Sequence, residues 1–296
     1  MKRILIITIL TVLFILTSLT IVRAETTAEL KTSSMSVKPG DTFTVTLYVE
    51  CADGVSGIFG GTSDEDYVDY FEINYDNSKL DLISKEAIKL MDLISEEEGE
   101  PISKASLLTF GTFTSGDVLN LNFKVKDNAI SGETEISTTD LLLEVDSKDV
   151  RIPLGRQATT VEIESVIDSD MYTIIDQAIT NIQPNENYTN FIQGITTNSE
   201  YTIKEGEKVV KGTDKIKTGQ TLIVGNKNYT LIVTGDTDGN GKADILDIMK
   251  INKHRLNKIK LSNAYFKAGD VNKDGKTDIL DILKINKFRL GKIKSL

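Results

Sequence analysis

Residues 235–247 read GDTDGNGKADILD, and residues 269–281 repeat the pattern as GDVNKDGKTDILD. Each copy places four aspartates within twelve residues, separated by glycine and other polar residues, and an apolar run follows. The similarity continues downstream, where DILDIMKINKHRLNKIKL (244–261) and DILDILKINKFRLGKIKS (278–295) agree at 14 of 18 positions. A period of 34 residues with this identity indicates an internal duplication.

The oxygen-bearing residues of both copies have the spacing of an EF-hand calcium loop. Such a loop supplies ligands from positions one, three, five, seven, nine and twelve, with glycine at position six. Mg²⁺ fits less well because it demands a smaller and stricter octahedron. We therefore predict two Ca²⁺ ions, and the predicted ligands are Asp236, Asp238, Asn240, the Lys242 carbonyl, Asp244 and Asp247 in the first loop, and Asp270, Asn272, Asp274, the Lys276 carbonyl, Asp278 and Asp281 in the second.

A helix is predicted after each loop, at about 244–256 and 278–290. The entering helix of a full EF-hand is missing, because the strand-like segment YTLIV (229–233) leads into the first loop. This duplicated loop-then-helix unit resembles the dockerin domain, of a type I-like kind, over residues 235–296. The resemblance implies a calcium-dependent plug that binds a cohesin-bearing scaffold protein in complexes that degrade polysaccharides.

The resemblance also implies which residues contact the partner. In that family, the contacts come from residues just before the last ligand and along the exiting helix. One well-known dockerin class has Ser-Thr where this chain has Ile-Leu, so the class of partner stays open. Because the two helices are nearly the same surface, a partner could bind either one after a half-turn rotation. The predicted contact residues are Ile245, Leu246, Asn252, Lys253, Asn257, Ile279, Leu280, Asn286, Lys287 and Gly291.

The segment from 27 to 165 is predicted to be β structure. In VKPGDTFTVTLYVE (37–50), a Pro-Gly turn precedes apolar residues at every second position, which is typical of a half-buried strand. Further strands are predicted in 71–84, 107–113, 118–126 and 159–163, whereas ISKEAIKLMDLISEEEGE (83–100) has helical spacing. The segments VKPGDTFTVTLYV, INYDNSKLDLIS and VLNLNFKVKDNAISG resemble a cohesin domain. That resemblance implies a jelly-roll β-sandwich, related to carbohydrate-binding modules, that binds a dockerin-bearing protein.

Residues 166–234 are predicted to form a small α+β module. Strands are expected at 171–175, 178–182 and 200–204, a short helix at 188–195, and a closing hairpin over 221–233 with its turn at 225–228. The module resembles one that often precedes dockerins in exported bacterial proteins. The predicted architecture is thus a multi-domain, mainly β protein, with a signal peptide (1–24), a cohesin-like sandwich (25–165), this module and a helical dockerin (235–296).

The first 24 residues have the features of an export signal. Lys2 and Arg3 precede an apolar run from Ile4 to Val22, and a small residue, Ala24, ends the segment. We therefore expect a secreted, cell-surface-associated protein, although the run is also long enough for an uncleaved membrane anchor. The single cysteine excludes an intrachain disulfide.

The charge is distributed unevenly along the chain. Residues 25–165 carry 28 acidic and 11 basic side chains, whereas residues 236–296 carry 8 acidic and 14 basic ones. The acidic N-terminal part argues against nucleic acid as a partner. The opposite charges of the two ends leave open a head-to-tail self-assembly into filaments.

The sequence offers no constellation of catalytic residues, so we predict a non-enzymatic adaptor that links dockerin-bearing proteins to a larger scaffold. The alternative is a carbohydrate-binding accessory subunit attached to the complex by its dockerin. Sugar-binding sites commonly stack the ring on exposed aromatic side chains, but the chain has no tryptophan. Only Tyr67, Tyr70 and Phe71 could form an exposed aromatic group, which makes protein binding the better prediction.

Overall fold

The computed structural model describes residues 26–94, 102–145 and 150–296. The predicted signal segment, residues 1–24, lies outside the described residues. Within the described part of the chain, no helix is long and apolar enough to cross a membrane.

The described residues of the N-terminal sandwich form ten strands and one turn of 3₁₀ helix at Asp64–Asp66. The main sheet has the order β2-β10-β9-β3-β8-β5, while β1 pairs with β3, β4 with β9 and β7, and β6 with β8. All of these pairings are antiparallel except that of β10 with β2. The strands are β1 (Thr27–Thr32), β2 (Ser36–Val37), β3 (Thr42–Gly60), β4 (Phe71–Tyr75), β5 (Leu80–Ala87), β6 (Met91–Asp92), β7 (Lys104–Ala105), β8 (Leu107–Val125), β9 (Gly132–Val145) and β10 (Val150–Ile163).

Shifts of register within the long strands allow each strand to pair with different neighbours along its length. The first half of β3 pairs with β1 and β8, and a break in register between Glu50 and Val55 precedes its pairing with β9. Such bulges bend a strand and increase its twist. The folded-over sheet encloses one apolar core, so the predicted β-sandwich is confirmed.

The alternation predicted for β3 is also confirmed. Phe43, Val45, Leu47 and Val49 are all buried, whereas the residues between them are at least partly exposed. The lone cysteine, Cys51, is a free, buried thiol in the same strand. Alternate residues of a strand point to opposite faces, so this pattern fixes which face of β3 meets the core.

The helix predicted from residues 83–100 is wrong for the part that the structure describes, and residues 95–100 lie outside it. Residues 80–87 and 91–92 are strands that pair with β8. The apolar residues that suggested a helix, Ile88, Met91 and Leu93, are about half exposed and form no buried face. Instead, the buried ion pair between Lys85 and Asp92, at 2.6 Å, joins the two short strands.

The middle unit is a small α+β fold, as predicted. Its principal sheet has the order β12-β13-β18-β17-β15-β16, β11 pairs with β14, and Phe191 from the helix lies in the core beneath the sheet. The elements are β11 (Ile167–Asp168), β12 (Thr173–Ile175), β13 (Ala178–Ile182), α1 (Tyr188–Gln193), β14 (Thr196–Thr197), β15 (Tyr201–Glu205), β16 (Lys208–Val210), β17 (Thr221–Val224) and β18 (Lys227–Val233).

The side chain of Asn198 connects the middle unit to the N-terminal sandwich. Its amide nitrogen donates to the carbonyls of Ala129 and Glu164, each at 3.1 Å, and its oxygen accepts from the amide of Val166 at 2.8 Å. Lys227 adds an ion pair with Glu164 at 3.2 Å. The two units therefore meet through specific polar contacts.

The C-terminal unit contains α2 (Ile245–Arg255), α3 (Asn263–Gly269) and α4 (Ile279–Arg289). The two helices predicted after the loops are confirmed as α2 and α4, and they pack through the buried residues Ile251 and Ile285. The prediction that entering helices are missing is wrong for the second loop, because α3 leads directly into it. The contact of α3 with the middle unit is made by a small residue, Ala268, which packs on Ala178 and Ile232.

Candidate metal loops and docking surface

The first loop is built around the buried carboxylate of Asp236. Oδ1 accepts from the amides of Gly239 (2.8 Å) and Asn240 (2.9 Å), and Oδ2 accepts from those of Gly241 (3.0 Å) and Thr218 (2.9 Å). Gly241, at position six, has a φ of +78°, which favours glycine. The loop therefore wraps its main-chain amides around its first predicted ligand.

Three carboxylates of the first loop converge. Asp236, Asp238 and Asp247 each place an oxygen within 4.8 Å of the others, and Asp236 and Asp247 are completely buried. Burial raises the pKa of Asp247 to about 6, and the charges of Asp238 and Asp236 add to the effect. Burial also raises the pKa of Asp236. These shifts show that burial disfavours the charged form of both carboxylates. A bound cation would favour the charged form, because it compensates the buried negative charge.

The second loop has the same design in a more exposed setting. Asp270 accepts from the amides of Asp274 (3.1 Å) and Gly275 (2.9 Å), and Gly275 has a φ of +82°. Burial raises the pKa of Asp281, which is completely buried, but Asn272 and Asp274 are exposed.

Positions nine and twelve of each loop also begin the exiting helix. Asp244 caps α2 by accepting from the amide of Leu246 at 2.8 Å, and Asp247 accepts in return from the amide of Asp244 at 2.8 Å. Asp278 and Asp281 form the same capping box at the start of α4. Because each box satisfies two otherwise unpaired helix amides, the last predicted ligands tie each loop to its helix.

The other predicted ligands lie along the loop turns. Lys242 and Lys276 are exposed, and their amides donate to the side chains of Asn240 at 2.8 Å and Asp274 at 2.9 Å. These contacts hold the predicted position-five ligands in place. The assignment of all twelve residues as metal ligands stays a prediction.

The predicted partner contacts lie on the surface. Ile245, Leu246, Ile279 and Leu280 are between 46% and 53% exposed, so they are not core residues. Sequence reasoning missed four further half-exposed residues, which helical spacing could have revealed: Met249 and Leu283 follow these pairs by three or four residues, and Leu256 and Leu290 come seven residues later, at the helix C-caps. We call the combined set the apolar stripes: Ile245, Leu246, Met249 and Leu256 on α2 and its C-cap, and Ile279, Leu280, Leu283 and Leu290 on α4 and its C-cap.

The polar members of the predicted contact set fall into two groups. Lys253 and Lys287 are exposed at the ends of the two helices, and Asn252 and Asn286 accept from neighbouring arginines at 2.9 Å each. Asn257 and Gly291 follow the helix C-caps with φ of +55° and +68°. Helix termination explains the residue types at these last two positions. The role of the whole set in partner binding stays a prediction.

The aromatic group considered for sugar stacking is not a flat exposed platform. Phe71 is completely buried. The ring of Tyr67 is covered by the Arg151 guanidinium, 4.1 Å from its centroid, and Lys104 lies 4.3 Å from the centroid of Tyr70. Each of these two rings thus has one face covered by a cationic side chain.

Comparison with known protein families agrees with this arrangement. Residues 27–164 match the cohesin domain, and residues 234–288 match the dockerin type I domain. Residues 27–164 are a cohesin domain, and residues 234–288 are a type I dockerin. No curated protein matches the chain.

Solved structures similar to the chain include several cohesins. The cohesin module of a family 33 glycoside hydrolase from Clostridium perfringens is 16% identical, with a TM-score of 0.37, over 47% of this chain and 96% of that one. A type I cohesin–dockerin complex from Clostridium thermocellum is 18% identical, with a TM-score of 0.34, over 47% and 99%. A non-cellulosomal cohesin from Archaeoglobus fulgidus is 14% identical, with a TM-score of 0.35, over 47% and 91%.

Cohesin and dockerin domains pair with each other, so this protein has one half of that interaction at each end. Both are non-catalytic interaction domains, and no enzyme domain is found in the chain. Type I dockerins generally bind calcium, and the all-oxygen donor set of the first loop fits that ion. The two domains support a role in cellulosome-type protein assembly.

Proposed function

We propose that this protein is a non-catalytic, extracellular adaptor of a polysaccharide-degrading complex. Its dockerin binds a cohesin-bearing scaffold, and its cohesin domain receives a dockerin-bearing protein. The observation that carries the proposal is that one chain holds both a cohesin domain and a type I dockerin. The working units are residues 25–165, 166–234 and 235–296, and residues 1–24 direct export, either as a cleaved signal or as a retained anchor.

In this proposal, two Ca²⁺ ions organise the dockerin. Each ion is held by the six predicted ligands of its loop and supplies the positive charge that offsets the crowded aspartates. The convergence of three carboxylates in the first loop and the matching turn glycines support this assignment. Because position twelve lies in the first turn of the exiting helix, ion binding links the loop to the orientation of that helix.

The docking surface of the dockerin is proposed to be the two apolar stripes. Eight large apolar side chains that stay half exposed on two short helices mark a surface suited to a protein partner. Exposed basic residues next to the stripes, including Lys253 and Lys287, favour an acidic partner face. The near-identical sequences of α2 and α4 allow either stripe to be used.

The test is a set of pull-down assays with the full chain. The baits are an isolated type I cohesin, a dockerin-tagged protein and insoluble cellulose, each with CaCl₂ and with EGTA. We expect capture by the cohesin in CaCl₂ but not in EGTA, and capture by the dockerin-tagged bait. Retention on cellulose without capture by the dockerin-tagged bait would replace the adaptor with a carbohydrate-binding subunit that is attached to the complex by its dockerin.

A charge placed in both stripes locates the docking surface. The double variant Ile245→Asp with Ile279→Asp should lose capture by the cohesin while keeping capture by the dockerin-tagged bait. The matched control is Val209→Asp, which alters a residue of similar exposure on the middle unit. Normal cohesin capture by the double variant would show that the stripes are not the docking surface.

A further inference from the structure

The two metal loops differ in their surroundings although they share the same ligand spacing and 7 of 12 residues. In the second loop, residues 272–276 are all exposed. In the first, the equivalent residues 238–240 are half-buried and Gly241 is buried. Residues 238–240 and 272–274 differ in type, but Gly241 and Gly275 are the same residue, so their unequal burial comes from what packs against them.

The middle unit packs against the first loop through main-chain contacts. The amide of Thr218 donates to the Asp236 carboxylate at 2.9 Å, in a buried setting. The amide of Asn185 donates to the carbonyl of Gly241 at 2.8 Å. The Thr218 hydroxyl in turn accepts from the amide of Val233 at 3.0 Å, immediately before the loop begins. Two segments of the middle unit thus hold both the first ligand and the turn of the loop.

The approach at the turn is close enough to exclude a side chain. A Cβ atom on Gly241 would lie 2.6 Å from the carbonyl oxygen of Ile216, whereas a Cβ on Gly275 would meet no atom within 4 Å among the described residues. Position six of the first loop is therefore in contact with the middle unit, and position six of the second faces open space.

The contact between the middle unit and the second loop is of a weaker kind. Lys273 extends from the loop, and its ammonium donates to the side chain of Asn181 at 2.7 Å, in an exposed setting. The Asp270 carboxylate accepts hydrogen bonds from two amides of its own loop, those of Asp274 and Gly275. An exposed lysine contact restrains a loop less than buried main-chain bonds do, because the side chain is flexible and water competes for both partners.

We infer that the middle unit holds the first loop in its ion-binding conformation, so that the two loops bind Ca²⁺ unequally and the first fills before the second. A loop that is already ordered does not lose that conformational freedom when the ion binds, and its affinity is higher for that reason. The inference rests on the proposed calcium binding and adds a regulatory consequence. At intermediate calcium concentrations, the α2 stripe is organised while the α4 stripe is not.

Calcium titration calorimetry of the full chain tests the order of filling. Asp270→Asn leaves the first loop as the intact site, and Asp236→Asn leaves the second. We expect the first loop, intact in Asp270→Asn, to bind Ca²⁺ at least about tenfold more tightly than the second loop, intact in Asp236→Asn. The reason is that a buried hydrogen bond to a charged ligand holds only the first loop in place. Affinities of the two loops within a factor of two, or tighter binding by the second loop, would overturn this inference and leave the proposed calcium binding intact. Absence of calcium uptake by the unmodified chain would overturn the proposed calcium binding together with it.

A pair of glycine variants isolates the contribution of the middle unit. Gly241→Ala and Gly275→Ala introduce the same methyl group at nearly the same φ, so the backbone strain is shared. Only Gly241→Ala pushes against the middle unit. We expect it to weaken the first site about tenfold more than Gly275→Ala weakens the second. Equal effects of the two variants would contradict the inference.

Thr218→Pro provides a second perturbation that leaves both loop sequences intact. It removes the amide that donates to Asp236. We expect weaker calcium binding at the first site and an unchanged second site, with far-UV circular dichroism recorded for every variant to compare its folding with that of the unmodified chain. If a variant does not fold, the comparison of Asp270→Asn with Asp236→Asn still decides the order of filling. Unchanged affinity of the first site in folded Thr218→Pro would count against the role of the middle unit.

Discussion

Replacing Asn198 by alanine should loosen the junction between the cohesin domain and the middle unit. The substitution removes three hydrogen bonds, two to the carbonyls of Ala129 and Glu164 and one from the amide of Val166. Each is worth about 0.5–1.5 kcal/mol net. Since Asn198 is only half-buried, water can reach part of the released backbone, and we expect a loss of about 2 kcal/mol at the junction.

Hydrogen exchange measures this loss locally. The amide of Ser131 in the sandwich donates to the main-chain carbonyl of Asn198, a bond that the substitution retains, so its exchange reports opening of the junction. A loss of about 2 kcal/mol corresponds to exchange about 30-fold faster. The matched control is Asn226→Ala, an exposed asparagine in the turn between β17 and β18, which should leave the exchange of Ser131 unchanged.

Two results would refute this reasoning. One is exchange of the Ser131 amide in Asn198→Ala within threefold of the unmodified chain, which would mean that the Lys227–Glu164 ion pair and the remaining contacts hold the junction without Asn198. The other is equal acceleration by Asn226→Ala, which would mean that the opening does not depend on the Asn198 hydrogen bonds.

Three further predictions concern other parts of the chain. Ile285→Ala should destabilise the dockerin by about 2–5 kcal/mol, whereas Leu290→Ala at the exposed end of α4 should cost less than about 0.5 kcal/mol; thermal melts in CaCl₂ measure both, and equal losses would contradict the packing. A hydrogen bond from the Ser36 hydroxyl, followed by the Lys227 ammonium, holds the pKa of Glu164 below its ordinary value of 4.5. These contacts therefore stabilise the fold above pH 4.5, and the stabilisation is lost as the pH falls through the lowered pKa. In Glu164→Gln, the free energy of unfolding measured in urea should therefore decline less as the pH is lowered. An unchanged decline would exclude this role. The buried thiol of Cys51 should react with Ellman's reagent only after unfolding, and rapid labelling of the native chain would contradict its burial.

Much of the architecture was predictable because it depends on local patterns. The alternation from Phe43 to Val49 defines a half-buried strand, and the hairpin of β17 and β18 follows from the turn residues after Val224. The helix starts at Asp244 and Asp278 could be located because a capping residue and its partner lie three positions apart. In each case, the signal and the structure it specifies lie within one short segment.

Other features depended on contacts between distant segments. The strand at Leu80–Ala87 continues into a stretch with helical spacing, and pairing with β8 decides its conformation. The helix α3 is only seven residues long, and it packs through Ala268 against Ala178 and Ile232 of the middle unit, a contact that its own sequence does not reveal. Local propensity was overridden here by tertiary packing.

The amino-acid sequence by itself determined the two aspartate-rich loops, the helices that follow them and the kind of domain at each end. Only the tertiary structure decided that the loops are unequal, since Thr218 and Ile216 lie against the first loop, whereas a Cβ on Gly275 in the second would meet none of the described residues within 4 Å. It also decided that Ile245 and Ile279 face outward while Ile251 and Ile285 are buried. The physical reason is that burial and close approach depend on which segments meet in space, and the ligand spacing that the two loops share does not specify their neighbours.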